Sequence, residues 1–268
     1  MPELPEVETV VRTLKSQIIG AKILDVLVMW PKTIYESPTF MNDVRNQRIE
    51  NITRRGKYLI FTLGKGFISV HLRMEGRFYL TPLSDEPKKH SHVIFYFSNQ
   101  KLEFNDTRKF GRIRYSMENP VLLLTQLGYE PFDENLTPKV LRQYAQKRTI
   151  ALKTFLLDQS VIAGIGNIYA DEICFLAQLS PLKKAKSLTL KQWQEIIGIS
   201  RMVLSEAILD GGTTIRTYTA ALGITGRFQH KLRVYGRASQ ACVNCQTPLK
   251  SVKIGQRTSV YCPVCQKG

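Results

Sequence analysis

The sequence predicts an α+β protein: a β-rich N-terminal half, a helical middle and a small, basic, cysteine-bearing end. Three observations predict it. Six short runs, ILDVLVMW, KYLIFTL, FISVHLRM, HVIFYFS, KLEFND and RIRYSM, are rich in β-branched and aromatic residues and are punctuated by Gly and Pro. No helical pattern interrupts them, which favours a sandwich or closed β structure over residues 1–130. From residue 138 onward the apolar spacing becomes helical, and the end of the chain loses both patterns while carrying four of the five cysteines.

Taken in order, Val7, Val10, Val11, Leu14 and Ile18 recur at helical spacing, and Gly20 can close that helix. The six strands follow. YEPFDENLTP reads as a linker. Residues 138–146, 150–159 and 167–178 read as short helices and residues 189–209 as a longer one. GGTTIRTYTAALGITG then reads as a glycine-bearing loop.

The 268 residues are 43% hydrophobic, enough to bury a substantial core. Lys and Arg number 38 against 22 Asp and Glu, a net charge of +16, which points to a polyanionic partner, nucleic acid first and acidic membrane second. No apolar run approaches the roughly 20 residues of a membrane span. The acidic start MPELPEVE lacks the apolar segment of a signal peptide, so the chain is expected to be soluble and intracellular. After Asp210 there is no acidic residue, and nine basic ones occupy that stretch. Such single-sign charge favours a phosphate-binding surface over an ordinary solvated face.

Cys242, Cys245, Cys262 and Cys265 form two C-x2-C pairs sixteen residues apart. That is four-cysteine zinc spacing; two disulfides are the alternative, disfavoured in an intracellular chain. Four sulfurs complete the tetrahedron, so one zinc per chain would be structural and would organise a hairpin too small to fold alone. Cys174 lies in an apolar helical stretch and is expected to be buried and inert. In AGIGNIYADE, glycines precede a helix that Asn167 can cap, which is either a phosphate site or an ordinary turn. Met74 in HLRMEG and Phe110 in DTRKFGR sit beside cations, as base-stack wedges or as core residues. Lys57 opens a strand, where a surface lysine is the default. Pro2 has two readings. It can start a helix with Pro5, or, once Met1 is removed, supply a secondary amine able to form a Schiff base, with Glu3 beside it for proton transfer.

Read together, PELPEVE, RRGKYL, HLRMEG, KHSH, DTRKFG, AGIGNIYADE, GGTT, VYGR and GQRTSVYCP stand in an order that resembles the bacterial formamidopyrimidine-DNA glycosylase family over the whole chain. The resemblance implies an N-terminal β-sandwich over 2–130, a helical domain with a helix–two-turn–helix motif over 131–226 and a zinc finger over 231–268. Damaged double-stranded DNA would lie in the cleft between them, bound by a monomer in the bacterial cytosol or nucleoid, with no membrane partner. An oxidised purine such as 8-oxoguanine or a formamidopyrimidine would be flipped out, since chemistry on a base requires extrusion. It would then be excised, and the strand nicked by β- and δ-elimination. One departure is Tyr129, where relatives often carry proline; it falls outside the expected site.

The resemblance also implies roles. Pro2 is the nucleophile, Glu3 the general acid/base, Lys57 the proton donor linked to elimination, and Arg257 the donor for the last elimination and a phosphate ligand. His71, His90 and Asn167 contact the DNA backbone. Met74, Arg108 and Phe110 fill the gap left by the flipped nucleotide, with Arg108 facing the orphaned cytosine. Arg148 and Lys153 lie near the DNA, and the loop from Gly211 to Gly226 covers the extruded base. Two alternatives stand beside this reading. An endonuclease VIII-like enzyme would prefer oxidised pyrimidines, and Leu4 argues against it because that branch usually begins Pro-Glu-Gly-Pro-Glu. A non-catalytic zinc-dependent DNA-binding protein would leave Pro2, Glu3 and Lys57 without a purpose.

Overall fold

The computed structural model describes residues 1–213 and 226–268, without the side chains of Leu122 and Leu123. The expectation for the covering loop therefore falls largely outside the described residues. The chain divides into two compact units. The first holds Met1–Thr125 with Gly211, Gly212, Thr213 and Gly226; the second holds Gln126–Asp210 and Arg227–Gly268.

The first unit opens with α1 (Leu4–Ile18), whose Val7, Val10, Val11, Leu14 and Ile18 are all buried. After β1 (Asp25–Val28), a single 3-10 turn (Pro31–Thr33) and α2 (Phe40–Val44), seven strands follow. They are β2 (Ile49–Arg55), β3 (Tyr58–Leu63), β4 (Phe67–His71), β5 (Arg77–Pro82), β6 (Ser91–Tyr96), β7 (Gln100–Asn105) and β8 (Arg112–Ser116). A one-turn α3 (Pro120–Leu123) ends the unit's main segment. The strands form two antiparallel four-stranded sheets, in the orders β1-β6-β7-β5 and β2-β3-β4-β8. Their inner faces share one apolar core with α1. Phe61 of one sheet meets Phe78 of the other edge-on at 5.9 Å, and Phe78 meets Phe104 at 5.4 Å, so aromatic edges knit the layers.

Among the described residues the sandwich has eight strands where six were expected. The two extra ones, β2 (IENITRR) and β5 (RFYLTP), are both sheet edges. An edge strand hides only part of its surface, so charged residues dilute the alternation, and Pro82 is tolerated there for lack of a second neighbour.

In the second unit α4 (Pro138–Gln146) is capped by the Thr137 hydroxyl, which accepts from the Val140 N–H at 3.3 Å. Next come α5 (Leu152–Leu156), α6 (Asn167–Leu176) and α7 (Leu190–Leu209). Thr189 and Gln192 cap α7 reciprocally, a T-x-x-Q box. The helix expected over 150–159 stops early because the Asp158 carboxylate takes the Ser160 N–H at 2.9 Å, diverting the chain into a turn. The segment read as a linker is packed: Tyr129 exchanges main-chain bonds with Val161 and Ala163. β9 (Lys250–Ile254) and β10 (Arg257–Tyr261) pair as an antiparallel hairpin. Phe175, Val234, Leu249 and Val260 join Cys242 and Cys262 in its core. No described helix is long and apolar enough to cross a membrane.

Candidate active site and nucleic-acid interface

At the N-terminus the helix begins at Leu4, Glu3 is its cap, and Pro5 takes the first-turn position that proline favours. Pro2 stands ahead of the cap and is buried, so the helix-start role belongs to Pro5 alone. Glu3 is 3% exposed. Its N–H donates to Glu6 Oε2 at 2.9 Å, half of a reciprocal capping box. The other Glu6 oxygen accepts from the Thr213 N–H at 2.8 Å and the Thr213 hydroxyl at 3.0 Å. Gly212 lies against it at φ +76°, where an added Cβ would come within 2.9 Å of Glu6 Oε1. Glu6 thus ties the residue beside Pro2 to the start of the glycine loop. Our reading of the sequence missed it, although the Glu3–Glu6 spacing is a capping-box signal.

Lys57 sits in the two-residue turn between β2 and β3 and is 5% exposed. Next to it, Tyr58 pairs with His71 across β3 and β4, and their rings meet edge-on at 4.5 Å. His71 Nδ1 accepts the Arg73 N–H at 3.0 Å, so the proton of the neutral ring is on Nε2. Burial first, then the charges of Arg73 and Lys57, lower the imidazole from 6.5 to about 3. His71 is therefore a neutral donor at physiological pH. A pKa lowered on folding gives stability that is full above pH 6.5 and is lost as the pH falls toward about 3. The stability difference between the parent and His71→Gln should therefore change with pH inside that window and be flat above it, as followed by denaturant unfolding. A difference independent of pH would contradict the assignment.

Met74 and Phe110 are 40% and 47% exposed, which decides against the core reading of both. The Arg108 guanidinium stacks over the Phe110 ring at 4.9 Å. His90 is exposed and holds a left-handed backbone, φ +71°.

In the second unit the cap of α6 is Gly166, not Asn167, which is the first helical residue. Asn167 Nδ2 donates to the Thr258 carbonyl at 3.3 Å, and its Oδ1 is buried without a hydrogen-bond partner among the described residues. Arg257 is exposed and begins β10 at the hairpin tip. Lys153 is fully buried: its Nζ meets Asp171 Oδ1 at 2.8 Å and the Thr258 carbonyl at 2.9 Å. Asp171 also accepts the Ser259 hydroxyl and the Val260 N–H. The neighbouring Glu172 takes the N–H groups of Arg233, Val234 and Tyr235. Two buried acids in one apolar helix thus fasten the hairpin and its approach segment to α6. Adjacent Asp and Glu inside the otherwise apolar IYADEICFL are the sequence signal of this arrangement. Burial pushes the Asp171 carboxyl up, and Lys153 pulls it back. Lys153→Ala strands that carboxylate, so a loss of roughly 3–5 kcal/mol is expected in denaturant unfolding; a loss under about 1 kcal/mol would class the pair with ordinary surface bridges. Arg148 is likewise engaged, by the Asp158 carboxylate.

The four sulfurs of Cys242, Cys245, Cys262 and Cys265 lie within 4.8 Å of one another. Two of the separations, 3.5 Å for Cys245 with Cys262 and 3.9 Å for Cys242 with Cys265, join the two C-x2-C turns. A disulfide needs about 2.05 Å, whereas sulfurs about 2.3 Å from a tetrahedral zinc stand near these separations. The set could hold one zinc ion, with no position left for a substrate. Cys245→Ser is expected to release the metal and unfold the hairpin while preserving most helical circular dichroism; metal analysis finding no zinc in folded parent protein would remove the claim.

Residues 1–113 match the Formamidopyrimidine-DNA glycosylase N-terminal domain, 127–219 the Formamidopyrimidine-DNA glycosylase H2TH domain, and 239–268 a zinc finger found in FPG and IleRS. The formamidopyrimidine-DNA glycosylase of Listeria monocytogenes is 42% identical over 273 residues, covering 100% of both chains. That of Desulfitobacterium hafniense is 42% identical over 272 residues, covering 99% of this chain and 100% of its own. Among solved structures, Lactococcus lactis Fpg with abasic-site DNA superposes with a TM-score of 0.94 at 36% identity, covering 99% of this chain and 100% of its own. The wild-type Lactococcus lactis protein with DNA containing N7-benzyl-Fapy-dG gives 0.93 at 36%, covering 100% of both. With three family domains matched in order and relatives aligned end to end, the chain belongs to the formamidopyrimidine-DNA glycosylase family.

Proposed function

We propose that this chain is a bifunctional DNA glycosylase and abasic-site lyase of base excision repair, acting on oxidised purines in duplex DNA. The observation that carries the mechanism is Pro2, buried and placed ahead of the helix cap with Glu3 beside it. Once Met1 is removed, the Pro2 nitrogen is a secondary amine with a lone pair to donate. It attacks the anomeric carbon of the sugar; the N–C bond forms as the glycosidic bond breaks, and Glu3 moves the proton that this exchange requires. The proline nitrogen then loses its proton and the C1′–O4′ ring bond opens, O4′ taking up a proton; the resulting iminium draws electrons from the adjacent carbon, which loses a proton. The 3′ phosphate then departs by β-elimination and the 5′ phosphate by δ-elimination.

Lys57 supplies a proton during elimination, and Arg257, at the hairpin tip, serves the last step and a phosphate. His71 and Asn167 donate hydrogen bonds to the DNA backbone and His90 contacts it. Met74, Arg108 and Phe110 enter the gap left by the flipped nucleotide, the arginine facing the orphaned base. Arg148 and Lys153 act near DNA through what they hold: Lys153 fastens the segment that follows Arg257, and Arg148 braces the turn at Asp158. The sandwich at 2–130 carries the chemistry, and the helical part at 131–226 and the finger at 231–268 grip the duplex, as a monomer in the bacterial cytosol.

Nicking of duplexes carrying 8-oxoguanine or thymine glycol tests this reading. Strong preference for 8-oxoguanine is expected; preference for thymine glycol would assign the pyrimidine branch, and no nicking of any lesion would leave a binding protein.

A further inference from the structure

Asp106 follows β7 and opens the loop that carries Arg108 and Phe110. It is fully buried, yet its carboxylate is spent on the main chain of that surface loop. Oδ1 accepts the Arg108 N–H at 3.0 Å, and Oδ2 accepts those of Phe110 at 2.8 Å and Gly111 at 2.7 Å. The Asp106 carbonyl accepts the Lys109 N–H at 3.2 Å, and its own N–H donates to the His90 carbonyl at 3.1 Å. One residue therefore holds the main chain of two loops expected to touch DNA.

These loops do not hold themselves. Lys109 and His90 are non-glycine residues in the left-handed region, at φ +59° and +71°, which side chains disfavour. Gly111 is seated so closely that an added Cβ would stand 2.4 Å from the Phe104 ring. From outside, Trp30 takes the Lys109 ammonium over its face at 4.0 Å. Trp30 is itself registered to β6, because its N–H and that of Met29 donate to the His92 carbonyl.

An exposed arginine–aromatic pair that must enter a base stack gains from being preformed. A loose loop would spend binding free energy on ordering itself. We propose that Asp106, with Trp30 as an outer buttress, is a positioning residue for lesion extrusion, holding residues 107–110 so that Arg108 and Phe110 enter the gap left by the flipped nucleotide. The proposal rests on the reading of Arg108 and Phe110 given above. The carboxylate of Asp106 is bonded to the main chain of its own loop, so it acts on extrusion and leaves the bond-making steps alone.

The test compares single-turnover base excision from an 8-oxoguanine duplex with strand cleavage at a preformed abasic site, which has no base to extrude. Asp106→Asn keeps the shape but turns one acceptor toward the loop into a donor. It should slow base excision on the order of tenfold or more while changing abasic cleavage by less than about threefold. Trp30→Ala, at a half-buried surface position, should show the same selectivity with a smaller loss, which keeps the test valid if the aspartate variant folds poorly. Asp106→Asn combined with Phe110→Ala should be little worse than Phe110→Ala alone, since both act through one loop. Equal losses on both substrates in Asp106→Asn and Trp30→Ala, or fully multiplicative effects in the double variant, overturn the positioning role. Failure of the underlying reading has its own signature: Phe110→Ala would then depress both substrates equally, and Asp106 would have nothing to position.

Discussion

With Met1 retained, or with any residue added before Pro2, the protein should bind lesion DNA normally and leave it uncut. The reason is electronic. An acylated proline nitrogen is an amide whose lone pair is delocalised into the carbonyl. It can neither attack the sugar carbon nor carry the iminium that makes the adjacent proton acidic. The basic residues proposed to meet the phosphates are untouched by one extra residue, so affinity should stay within about twofold while nicking falls below detection; salt-dependent contacts of this kind dominate DNA affinity. Gel-shift and nicking assays on one protein preparation, with the N-terminus defined by mass spectrometry, check both halves. Cleavage by protein that is wholly Met1-retaining would remove the proline from the mechanism.

Glu3→Gln should separate the two activities. Glutamine keeps the length of the side chain and an acceptor oxygen for the start of α1, where Glu3 is the cap. It cannot move a proton as a carboxylate does. Removing a positioned acid/base costs about 10²–10⁴-fold, and that loss should fall on base removal. Cleavage of a preformed abasic site needs no departing base, so a substantial fraction of it should survive. Parallel loss on both substrates would mean that Glu3 acts by holding Pro2 in place and not by moving a proton.

Much of this was legible because it is local. Five apolar residues at helical spacing marked α1, and two C-x2-C pairs marked the metal set; each signal lies within one short stretch. What stayed hidden depends on partners far away in the chain. Glu6 reaches Thr213 across 207 positions, Lys153 reaches Thr258 across 105, and Asp171 reaches Val260 across 89. No periodicity encodes such meetings. The edge strands β2 and β5 escaped for a related reason, since their pairing is tertiary and their outward faces are polar. Asn167 was assigned to the helix cap because asparagine caps well, but Gly166 occupies that position in an extended conformation and frees the Asn167 side chain to reach Thr258. Lys153 was placed near the DNA by the resemblance alone, and its burial against Asp171 and Thr258 depends on partners distant in the chain. Its apolar neighbours Leu152 and Phe155, both fully buried, signal the interior position that it occupies.

Borohydride trapping on an 8-oxoguanine duplex, followed by mass-spectrometric mapping of the crosslinked peptide, tests the central assignment most directly. Hydride reduces the iminium carbon and leaves a stable amine joining protein to sugar. The expected product is one covalent protein–DNA species whose modified peptide begins at Pro2, with Met1 absent. A crosslink mapped to Lys57, or efficient nicking with no trapped species at saturating borohydride, would contradict the N-terminal amine as nucleophile.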